Sequence, residues 1–304
     1  MVKIAASSFA LIHMSAWGQS GSDTPDTQGT GPFPALKEEV ASLPKHVVYR
    51  PADLHQLGDR KLGVLAWGNG GCSDDGASSR LHLLEIASHG YLVIANGTIK
   101  SGPGPQPTSP PAPRADGQLP PPATSAEQLI EAIDWAIAES SRKGSVLYDR
   151  IDPSAIAISG FSCGGLQALK VGDDKRVRTL IIHNSGIFSP EHAVRLPSMD
   201  IGKDTLKKLH TPVLYIQGGP SDIAYENGMD DFRRIDHVPA AIANLDVGHG
   251  GTFMDPNGGR VAQVAVAWLQ WQLRGDQKAK QWFVGAQCRL CKEPDWKFES
   301  KNLK

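Results

Sequence analysis

Ser162 lies in the stretch GFSCGG (160–165), with Gly160 two residues before it, Gly164 two after, and the apolar run AIAIS directly upstream. A serine hydroxyl is a weak nucleophile unless a base takes its proton and its oxygen is held exposed. A sharp strand-to-helix turn provides the exposure, and glycines are needed where side chains would collide as the chain doubles back. That pattern is the G-x-S-x-G nucleophile elbow, whose partners follow in the order acid, then histidine. Five histidines lie beyond Ser162. His183 falls inside the apolar run LIIH and reads as a buried, hydrogen-bonded residue or as a support behind the site, while His192, His210 and His237 fall in polar connections. His249 alone sits after a strand-like run, in the flexible turn VGHGG. Asp222 likewise follows the strand-like PVLYIQGG, whereas Asp230 and Asp231 read as a solvated helix and Asp246 as the end of its own strand. The expected roles are Ser162 as nucleophile, His249 as base and Asp222 as the acid that orients the imidazole.

Acyl transfer also needs two N–H donors for the developing oxyanion, one from the residue after the nucleophile and one from an upstream loop. Cys163 supplies the first. The second is Gly71 or Cys72, in WGNGGC (67–72), which follows the strand-like LGVLAW. These glycines are not a phosphate cradle, because no Walker lysine and no G-x-G-x-x-G accompanies them. The four cysteines, Cys72, Cys163, Cys288 and Cys291, allow three pairings. Cys288-Arg-Leu-Cys291 reads as a small loop disulfide in a polar tail; without a local histidine it is a poor zinc site, and no metal is expected. Two N–H groups converging on one oxygen at ~2.7–3.1 Å would bring Cys72 and Cys163 close enough for a bridge of ~4.4–6.8 Å between Cα atoms. The alternative is that both are buried free thiols.

The elements that must carry these residues are short strands alternating with helices. HVVYR, LGVLAW, YLVIANG, AIAISG, TLIIHNSG, PVLYIQGG and AAIANLDV read as strands, several continuously apolar as in sheets covered on both faces. SSRLHLLEIASHG, SAEQLIEAIDWAIAES and GRVAQVAVAWLQWQLRG carry apolar residues at three- and four-residue spacing and read as amphipathic helices. The expectation is one α/β domain with a mostly parallel sheet. A proline-dense stretch, 101–125, interrupts it as a surface insertion or a substrate-facing flap. The chain has 304 residues, 40% of them hydrophobic, and Lys plus Arg (31) balance Asp plus Glu (32), which argues against nucleic acid as a partner. One Lys precedes the apolar run 4–14, followed by Ala16-Trp17-Gly18, so residues 1–18 read as a signal peptide, and no segment reads as a membrane span. The expected organisation is a polar leader over 19–44, a catalytic domain over 45–275 and a tail over 276–304. The protein is expected to be secreted and monomeric. NGT at Asn96 is also a glycosylation sequon.

From about residue 45 to 275 the chain resembles the α/β-hydrolase fold. LEIASHGYLVIANG, GFSCGG, SDIA and GHGG are most similar to the lidless branch of bacterial cutinases, poly(ethylene terephthalate) hydrolases and dienelactone hydrolase-like esterases. The chain differs from the cutinases in carrying Cys163 after the nucleophile and Cys72 near the place of their aromatic oxyanion-loop residue. The resemblance implies a central, mostly parallel sheet with helices on both faces, and a serine esterase that uses Ser162, His249 and Asp222 through an acyl-enzyme, with no cofactor. Only sixty positions separate Ser162 from Asp222, which leaves little room for a large cap domain. The expected partner is an ester substrate, small molecule or polymer. The alternatives are a serine peptidase or amidase with the same triad, and a non-catalytic hydrolase-fold binding protein.

Overall fold

The computed structural model describes residues 24–103, 121–189 and 200–304. The expected signal peptide, His192 and the centre of the proline-dense stretch lie outside the described residues. Nine strands form one sheet in the order β1-β2-β4-β3-β5-β6-β7-β8-β9. They are β1 (Ala35–Glu39), β2 (His46–Pro51), β3 (Leu62–Gly68), β4 (Tyr91–Asn96), β5 (Ile151–Phe161), β6 (Val177–His183), β7 (Val213–Gln217), β8 (Ala240–Leu245) and β9 (Trp296–Lys301). From β4 to β8 neighbours run parallel, and β1, β2 and β9 pair antiparallel. Among the described residues no helix is long and apolar enough to cross a membrane.

Strand side chains alternate between two apolar layers, which is why the inner strands read as continuous apolar runs. Leu62, Val64 and Ala66 of β3 pack in the layer that holds the helices α2 (Glu127–Ser141), α3 (Cys163–Lys170) and α4 (Tyr225–Arg234). Leu65 and Trp67 face the opposite layer, which holds α1 (Arg80–Ser88) and α5 (Gly259–Arg274). Trp268 of α5 is fully buried there and donates its indole N–H to Thr179 Oγ1 at 2.7 Å. A Trp268→Ala change would cost about 3–5 kcal/mol.

The sheet extends beyond the 45–275 span that the sequence suggested. Its outermost strands, β1 and β9, come from the expected leader and tail. ALKEE and WKFESK are too polar to read as core strands, yet each needs only one partner strand, and charged edges discourage pairing with other chains. The leader is anchored by buried Arg80, which donates to Asp26 Oδ1 (2.9 Å) and Thr24 O (2.7 Å). Phe283, Leu290 and Trp296 bury the tail against α5.

Candidate active site

Parallel strands bring their C-terminal ends to one edge, where the residues after β5, β7 and β8 meet. Ser162 stands between β5 and α3 with φ 53° and ψ −119°, a backbone conformation that costs a non-glycine residue about 1–3 kcal/mol. The flanking glycines permit it. A Cβ on Gly160 would lie 2.2 Å from Gly164 O, and one on Gly164 would lie 2.0 Å from Gly68 O. The turn is held from β6, where His183 O accepts Ser162 N–H (2.9 Å), and just beyond it, where Ser185 Oγ donates to Ser162 O (2.7 Å).

His249 Nε2 lies 2.9 Å from Ser162 Oγ, and its Nδ1 lies 2.5 Å from Asp222 Oδ1. With a carboxylate opposite Nδ1, that nitrogen carries the proton and Nε2 faces the hydroxyl as acceptor. The buried Asp222 carboxylate also accepts Ala224 N–H (2.9 Å) and Gly218 N–H (3.1 Å). Burial alone would raise its pKa, but the bonds from His249, Ala224 and Gly218 outweigh it and hold the carboxyl below its usual range. Asp246 is exposed and accepts from Ser221 Oγ (3.0 Å).

Three other expectations change. Asp231 is on a helix, α4, but is not solvated: it is fully buried, bonded by Lys203 Nζ (2.6 Å), Ile187 N–H (2.8 Å) and Tyr215 OH (3.3 Å). Burial outweighs those partners and pushes its pKa up to about 6. Its neighbour Asp230 is half-buried and drawn down to about 2 by Arg234, with help from Lys203. His183 is buried, but its ring nitrogens have no hydrogen-bond partner; it stands edge-on to His82, with ring centres 5.0 Å apart, in a cluster with Trp67 and Phe253. Burial keeps both imidazoles neutral, His82 down to about 3 and His183 well below its ordinary value. Asn96 of the sequon is also fully buried, and its Nδ2 donates to Ser125 O (3.3 Å), so the folded chain offers it to no glycosylating enzyme.

The structure contains the two expected bridges, Cys72–Cys163, with Cα atoms 5.2 Å apart, and Cys288–Cys291. Of the two expected upstream oxyanion donors, Cys72 has its N–H engaged in a 3-10 turn with Asn69 O (3.1 Å). A Cβ on Gly71, the other candidate, would meet only open space. Cys72 O accepts Ala123 N–H (3.0 Å), Thr124 N–H (3.0 Å) and Thr124 Oγ1 (3.1 Å), and Gln167 of α3 donates to Thr124 O (2.8 Å). The described end of the proline-dense stretch is therefore bonded to the loop beside the nucleophile. Phe161 packs on the His249 ring with centres 5.2 Å apart, and Ile223 and Val247 are exposed beside Asp222 and His249. Among the described residues no three His, Cys, Asp or Glu side chains gather to hold a metal ion.

No protein-family model matches the chain, and no curated protein matches it. The geometry by itself places an imidazole nitrogen in reach of the Ser162 hydroxyl and a buried carboxylate behind that imidazole. Asn184 and Ser185 also touch this assembly. Their only sequence signal was the polar NSG that ends the apolar run of β6.

Proposed function

We propose that the chain is a secreted serine esterase of the α/β-hydrolase type, similar to the lidless cutinases and dienelactone hydrolase-like esterases. The observation that carries the reading is the continuous hydrogen-bonded line from Ser162 Oγ through His249 to Asp222, at the C-terminal edge of the sheet. Ser162 Oγ attacks the ester carbonyl carbon while His249 Nε2 takes its proton. Asp222 holds the tautomer and stabilises the imidazolium that forms. The oxyanion accepts from the N–H groups of Cys163 and Gly71. Collapse expels the alcohol, which takes the proton from His249, and leaves an acyl group on Ser162. Water, activated by the same imidazole, then releases the acid. Two disulfides fit an oxidising compartment outside the cytosol.

A fluorophosphonate probe and a series of p-nitrophenyl esters test the reading. Mass mapping should find the probe on Ser162, and Ser162→Ala should lose both labelling and ester hydrolysis, roughly 10⁴-fold or more, without loss of Tm. Turnover close to wild type in the purified variant would sink the mechanism. Faster cleavage of matched anilides than of esters would redirect the reading to an amidase.

A further inference from the structure

We infer that Asn184 is a positioning residue: its side-chain amide ties the Asp222 carboxylate to the loop carrying His249, and so sets the imidazole for proton transfer. The inference rests on the esterase reading for its catalytic meaning. Asn184 follows β6, and its N–H donates to Ile216 O of β7 (2.7 Å). It is buried, with Nδ2 2.9 Å from Asp222 Oδ2 and 3.1 Å from Gly248 O. An amide nitrogen has two N–H groups, one for each of these acceptors. The reversed amide would set Oδ1 against a carboxylate and a carbonyl oxygen, so the acceptors themselves decide its orientation.

Two costs are carried at this position. The φ of Asn184 is 44°, in the left-handed region that asparagine tolerates better than most residues, and its buried Oδ1 has no hydrogen-bond partner. Unfavourable local features of this kind gather where a site needs them. What they secure here is a cross-link. Asp222 Oδ1 faces His249 and Ala224 N–H, whereas Oδ2 is held by Gly218 N–H and Asn184. Gly248, whose carbonyl takes the second amide proton, directly precedes His249 and donates its own N–H to Gly218 O (2.8 Å). One side chain thus fixes the acid and the peptide that carries the base.

Two variants of the full chain test this. Asn184→Gly suits the positive φ and deletes only the side chain, and Asn184→Asp keeps its shape but puts a second carboxylate against Asp222 and Gly248 O. The first should lower kcat by about 10²-fold at little-changed KM, the scale of a misplaced reacting group, and the second should lower it further. In both, the downfield His249 Nδ1–H proton resonance of the wild type should broaden or move, and fluorophosphonate labelling of Ser162 should slow in parallel. A wild-type kcat and an unmoved resonance in Asn184→Gly would overturn the positioning role, as would a lower Tm with unchanged kcat per folded molecule. If the wild type itself neither hydrolyses esters nor takes the probe, the esterase reading fails, and the resonance alone decides whether Asn184 sets the imidazole.

Discussion

Removing the Cys72–Cys163 bridge, by Cys72→Ala with Cys163→Ala, should cost both stability and turnover, and the two losses have separate origins. In the chain-entropy account a bridge stabilises by restricting the unfolded state, by a constant plus a term that grows with the logarithm of the loop it closes. This bridge spans 91 positions and Cys288–Cys291 only 3. The corresponding contributions at 25 °C are about 4.6 and about 1.6 kcal/mol. At ~2.1 cal/mol/K of unfolding entropy per residue, the first lowers Tm by about 7 °C and the second by about 2–3 °C. Turnover should fall because Cys163 begins the helix behind Ser162 and Cys72 belongs to the loop that presents Gly71; losing one oxyanion donor costs ~10²–10³-fold in kcat. Calorimetry of both double variants, with kcat measured well below either Tm, tests the two parts separately. Equal Tm losses for the two bridges would refute the loop-closure reasoning. A wild-type kcat without Cys72–Cys163 would show that the bonds of Thr124 and Ala123 to Cys72 O hold the loop unaided.

Asp222→Asn should give a folded protein slower by about 10⁴-fold in ester hydrolysis, while Asp246→Asn should be near neutral; the reverse ranking in kcat would reassign the acid. Asp231, raised to about 6, binds its proton more readily folded than unfolded, so it favours folding below about pH 4 and loses that contribution as pH rises through about 6. Urea denaturation at pH 4 and pH 7 should therefore show wild type losing about 2 kcal/mol relative to Asp231→Asn, and a constant difference would count against the buried, raised carboxyl. Under mild thiol without denaturant, alkylation should reach Cys288 and Cys291 first, because Cys291 is exposed while Cys72 and Cys163 are buried, with ester hydrolysis unchanged; earlier labelling of Cys163 would contradict this order.

What the chain reveals without coordinates is whatever depends on neighbours within a turn or on period. Short apolar runs, several of them continuous, marked β2 to β8, and Gly160 and Gly164 marked the sharp turn at Ser162. Because strands of a parallel sheet end on one edge, chain order alone suggested that Ser162, Asp222 and His249 would meet there, and their hydrogen-bond distances show that they do. Contacts between residues far apart in sequence had no such signal. Edge strands β1 and β9 are short and polar, since one partner strand suffices, so ALKEE and WKFESK passed as leader and tail. Asp231 looks solvated in YENGMDDFRR, because nothing local announces that Lys203, Ile187 and Tyr215 close around it. Nor does the stretch WGNGGC announce that Cys72 N–H is bonded to Asn69 O. Sequence determined which residue types reach the C-terminal edge of the sheet, because period and turn chemistry are local; only the tertiary structure decided which polar atoms each of them bonds, because hydrogen bonds are made in space.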